Sequence, residues 1–83
     1  MTHALKTWPE YFKKVKSGEK NFELRKNDRN FKVGDKVLLQ EYDPETEKYT
    51  GEEIDFRIGY ILDLTAFGIK KDFVVFSLMD TQP

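Results

Sequence analysis

At 83 residues and a formal net charge of −1, the chain has room for one domain, spanning residues 1–83, and not for two. The lack of cysteine excludes a disulfide framework, a thiolate metal site and a cysteine nucleophile, and the single histidine excludes sites built on paired imidazoles. No apolar run approaches the ~20 residues of a membrane helix and the first residues lack a signal peptide's apolar stretch, so the expectation is a soluble, cytoplasmic protein with no membrane partner.

In chain order, His3–Lys6 is a short extended segment with Leu5 pointing inward and His3 a terminal surface residue. Thr7-Trp8-Pro9-Glu10 predicts a helix start, with Thr7 as cap, Glu10 completing a capping box and Pro9 in the first turn. Trp8, Phe12 and Val15 share one face at helical spacing, which is the pattern of core residues. Gly18 ends the helix as its C′ residue. Beyond it the period becomes two. Phe22 and Leu24 alternate with Asn21, Glu23 and Arg25, which predicts a half-buried strand with the two apolar residues inward.

Lys26–Asn30 is a polar loop, and Phe31 and Val33 re-anchor the chain before a turn at Gly34-Asp35. Lys36–Tyr42 is a second strand, followed by a hairpin connection over Asp43–Gly51 in which Pro44 breaks pairing. Ile54, Phe56, Ile58, Tyr60, Leu62 and Leu64 occupy successive alternate positions, predicting one long strand with a bulge or bend at Gly59. Thr65–Asp72 is a loop, and Phe73–Met79 closes the sheet. The fold class that follows is α+β, mainly β: a small barrel of about five mostly antiparallel strands with one N-terminal helix against it.

Charge is unevenly placed. Met1–Lys36 carries a balance of +5 and Val37–Pro83 one of −6, which points to an anionic partner for the basic half. Within that half, strand alternation sets Glu23 and Arg25 on the face opposite Phe22 and Leu24, with Lys20 in reach. The two cations attract phosphate, Arg25 in bidentate fashion, and the carboxylate can accept from a base amino group. Trp8 is either a core residue or a stacking surface for a base. An exposed ion-pair cluster is the bland alternative for Lys20, Glu23 and Arg25. Glu45, Glu47, Glu52, Glu53 and Asp55 fit a solvated hairpin better than a cation site, and no metal or cofactor is expected.

The pattern Gly18-Lys20-Glu23-Arg25, G-x-K-x-x-E-x-R, resembles the signature of ASCH (activating signal cointegrator homology) domains, small β-barrel relatives of the PUA RNA-binding fold. Leu5–Ser17 looks like the strand and helix that precede that signature. Phe31-x-Val33-Gly34-Asp35 looks like the turn that follows it, and the run R-K-N-D-R-x-F-x-V-G-D is similar to a bacterial and phage branch. The resemblance implies a cleft lined by Lys20, Glu23 and Arg25 that binds RNA or a nucleotide, in RNA metabolism or transcription coregulation. Lys6, Trp8, Lys26 and Arg29 extend the candidate site by charge and proximity.

Some ASCH proteins are amidohydrolases acting on acylated cytidine through a Lys-x-x-Thr arrangement. Here the threonine position holds Glu23, which removes the hydroxyl nucleophile and leaves only a general-base role on water. A protein-interaction module using the acidic half or the Asp43–Gly51 hairpin is the third alternative.

Overall fold

A computed structural model describes residues 1–81. The elements run β1 (Thr2–Thr7), α1 (Pro9–Ser17), β2 (Phe22–Lys26), β3 (Lys36–Asp43), β4 (Lys48–Asp63), a 3₁₀ turn (Leu64–Phe67) and β5 (Phe73–Met79). They form one five-stranded sheet in the order β1-β3-β4-β5-β2 that curls into a half-barrel, so the α+β, mainly β small barrel expected from the alternation is the architecture found. Strands β1 and β3 are parallel, and every other pair is antiparallel. A parallel pair needs a long crossover. Here α1 and β2 lie within it, and α1 buries Phe12 and Val15 in the core over β3.

The core is centred on Val37 and Leu39 of β3, Ile58 of β4 and Phe76 of β5. Burial of each such side chain contributes about 1.5–3 kcal/mol. Gly18 closes α1 in the left-handed conformation (φ 86°) and donates its N–H to the Val15 carbonyl, as a C-terminal glycine should.

Several local expectations are corrected. Thr7 does not cap α1: it is the last residue of β1, paired with Glu41 in the parallel ladder, and Trp8 takes the cap position without a side-chain bond. Pro9 dictates this, because the residue before a proline is forced to extended geometry, and Trp8 has φ −65° and ψ 149°. Being outside the helix, Trp8 escapes its 3.6-residue period and is half exposed instead of joining Phe12 and Val15.

His3 is not a surface residue. It is 4% exposed, with Nε2 2.8 Å from Asp35 Oδ2 and its ring edge-on to Phe31. Asp35 also accepts from the Lys32 main chain, and the hydrogen bond with His3 is the main reason its carboxyl lies below the usual range.

The long alternation of β4 is interrupted at Gly59, where the register against β5 shifts between Ile58 and Ile61. After this bulge Ile61 packs on the core and Tyr60 turns outward. A Cβ at Gly59 would run into the side chains of Met79 and Ser77, which is why the close approach needs glycine. Lys48–Gly51, expected in the hairpin connection, belong to β4, and Val33 is exposed while Phe31 is buried.

The last correction bears most on the candidate site. Strand β2 is turned over relative to its hydrophobic pattern: Phe22 is 45% and Leu24 52% exposed, while Glu23 is 3% exposed. Its register sets Glu23 opposite Phe76, on the inner face of the sheet.

Candidate functional site

Strands β1 and β2 are the two ends of the sheet, and no main-chain ladder joins them. Side chains bridge this seam. Arg25 Nη2 donates to the Lys6 carbonyl at 2.9 Å and to Thr7 Oγ1 at 3.5 Å, and Arg29 Nη1 donates to the Ala4 carbonyl at 2.7 Å. Over the seam lies an open cleft of about 640 Å³.

Its floor is the triad Lys20, Glu23 and Arg25. The Glu23 side chain is 4% exposed, yet both oxygens are engaged by cations: Oε1 by Lys20 Nζ at 2.5 Å and Oε2 by Arg25 Nε at 2.9 Å. A buried carboxylate is tolerable only when paired in this way. Lys20 also donates to the Phe22 carbonyl at 2.7 Å, and its main-chain N–H reaches back to the Lys14 carbonyl, so the left-handed Gly18 turn places it. Lys20 and Arg25 remain 20% and 25% exposed, which leaves their outer faces accessible from the cleft.

The apolar part of the lining is Trp8 and Tyr11 from the start of α1 and Phe22 and Leu24 from β2. All four are about half exposed. Trp8 and Tyr11 stack with centroids 6.4 Å apart and planes 24° from parallel, and Lys20 Nζ lies 5.1 Å from the Phe22 ring centre. These exposed aromatic and aliphatic side chains line a common space and contribute nothing to the buried core. At one end Lys6 borders the cleft, and its ammonium rests 4.4 Å from the Tyr42 ring, beside Tyr49.

Of the seven candidate residues, Lys6, Trp8, Lys20, Glu23 and Arg25 therefore converge on one cleft. Lys26 and Arg29 lie outside its lining, and Arg29 is occupied with the edge of β1. Thr7, Tyr11, Phe22 and Leu24 were not candidates from the sequence. For Phe22 and Leu24 a signal was present in the sequence: a carboxylate with cations at positions −3 and +2 can be buried with its neighbours turned out. Among the described residues no three acidic or histidine side chains converge as a metal site requires, and no helix is long and apolar enough to cross a membrane.

The molecule thus defines a class: a curled five-stranded half-barrel with one crossover helix and a charged, aromatic-walled cleft on its seam. The chain belongs to the family described as domain of unknown function DUF3850, whose model matches residues 2–78. It is 36% identical over 63 residues to an uncharacterised 12.9 kDa protein in the GpA 3′ region of Escherichia phage P2. That match covers 76% of this chain and 56% of the phage protein, so the chain spans little more than half the length of this relative.

Proposed function

We propose that the seam cleft binds RNA or a nucleotide, with Lys20 and Arg25 contacting phosphate and Trp8 and Phe22 stacking on a base. The observation that carries this reading is the pairing of exposed aromatic walls with a floor whose two cations are fixed by one buried carboxylate. Stacking of a base on an aromatic side chain contributes about 1–3 kcal/mol, and preset cations bind an anion without first losing rotamer freedom. The resemblance of Gly18–Arg25 to the ASCH signature supports the same reading. A Glu23 almost fully removed from solvent, with each oxygen accepting from a cation, also favours binding over hydrolysis, because a general base must reach the water it activates.

Trp8 is the only tryptophan, so its fluorescence reports on the cleft directly. Titration with a single-stranded RNA oligonucleotide is expected to change its emission, with log affinity falling by roughly 0.7 per phosphate contact per decade of salt. Lys20→Ala and Arg25→Ala each weaken binding about 5- to 100-fold, as loss of a charged hydrogen bond would. Unchanged RNA affinity in both variants overturns the proposal.

A further inference from the structure

We infer that the cleft requires a phosphate on its ligand, taking a nucleotide and not the bare nucleoside, and that Glu23 holds the two cations without reading the base. This rests on the nucleotide-binding reading above and narrows it to a substrate class. A carboxylate at the floor of a cleft can accept from a base amino group only if that group can reach a lone pair on one of its oxygens. Here Oε1 and Oε2 each face a cation, and the side chain is almost fully removed from solvent.

With Glu23 buried, the hydrogen-bonding capacity that the triad presents to the cleft is donor only. Arg25 uses Nε on Glu23 and Nη2 on β1, and among the described residues its Nη1 has no partner. Lys20 uses two of its three ammonium donors, on Glu23 and on the Phe22 carbonyl. Two cations against one carboxylate leave the triad with one net positive charge, set between walls of low polarity that weaken its screening.

A donor-only floor with excess positive charge selects an anionic acceptor. Phosphate oxygens satisfy Nη1 and the third Lys20 donor through bonds in which both partners are charged, adding a Coulomb attraction that the neutral hydroxyls of a ribose or the carbonyls of a base do not supply. The base then lies against Trp8 or Phe22, where stacking tolerates any base identity. Phosphate, more than the base, sets the affinity.

Isothermal titration calorimetry of the full chain with uridine, cytidine, their 5′-monophosphates and inorganic phosphate tests this. The monophosphates are expected to bind at least ~10-fold tighter than either nucleoside, since charged hydrogen bonds differ from neutral ones by about 1 kcal/mol or more each. The two monophosphates are expected to agree within about 3-fold because stacking discriminates weakly. Arg25→Gln should abolish the difference between nucleotide and nucleoside. Lys20→Gln, which leaves the seam bridge untouched, should reduce it, so a folding defect in the first variant does not decide the matter.

Equal affinity for nucleoside and monophosphate overturns the inference while leaving the cleft reading standing. So does a cytidine preference that disappears in Glu23→Gln, because Glu23 would then be reading the amino group. Inorganic phosphate binding as tightly as the monophosphates overturns the role of the walls. No heat with any of them, together with no response to RNA, defeats the cleft reading itself.

Discussion

Strands β2 and β5 are hydrogen-bonded neighbours on one curled sheet, and they place their side chains in opposite ways. Along β5 the alternation is conventional: Val74, Phe76 and Leu78 are buried, and Met79 is exposed. One strand over, Glu23 occupies the inner face opposite Phe76, and Phe22 and Leu24 project outward opposite Ser77 and Val75. Strand β5 therefore maximises apolar burial, whereas β2 gives up apolar burial to set a charged triad at the bottom of an aromatic cleft. The difference separates the strand that fills the core from the strand that lines the cleft.

Substitutions on the two strands should fall on either side of that division. The largest effect belongs to Phe76→Ala, which opens a cavity at a fully buried position and is expected to cost about 3–5 kcal/mol in chemical denaturation. Glu23→Ala comes next, at about 1–3 kcal/mol, because two cations lose their common partner. That value is set below the range for fully buried pairs, since Lys20 and Arg25 are partly solvated. A cost near zero would mean that β2 holds its inverted register without the triad, and the comparison would need another cause.

Smaller still is Leu24→Ser, expected to change stability by under about 1 kcal/mol, as exposed positions do, while lowering nucleotide affinity. Stability loss comparable to Phe76→Ala would show that Leu24 is packed in solution. The smallest effect is at the part-buried pair of His3 and Asp35. The hydrogen bond with His3 holds the Asp35 carboxyl below its ordinary value, so its ionised form contributes stability above the unfolded carboxylate range. That contribution is lost as pH falls through the lowered folded value. Asp35→Asn is thus expected to be less stable than the parent at neutral pH and to show a flatter acid limb below about pH 4. Parallel acid limbs in the two proteins would remove Asp35 from the account.

Much of this fold is legible in the sequence because period and punctuation agree. Phe73–Met79 alternates without conflict, Gly18 can end a helix, and Gly59 sits where a long strand must bend. The site is less legible, and for a physical reason. In Phe22-Glu23-Leu24-Arg25 the apolar pattern and the charge pattern demand opposite faces, and only tertiary context decides between them. That context comes from Lys20, delivered by the Gly18 turn, and from the Lys6 carbonyl across the seam. His3 was misread similarly: its partner Asp35 lies 32 positions away, beyond the range of any local pattern.

The arginines of the seam have a consequence for the molecule in a crowded solution. A half-barrel leaves β1 as an end strand, and a bare row of main-chain acceptors is a template on which another chain can add itself. Arg29 and Arg25 fill the Ala4 and Lys6 carbonyls, alternate positions along that row, and bring positive charge to the same place. An incoming strand would have to displace both guanidinium groups before it could pair. Both carbonyls are thus already occupied at the open side of the sheet, and one of the two arginines that fill them, Arg25, also forms part of the cleft floor.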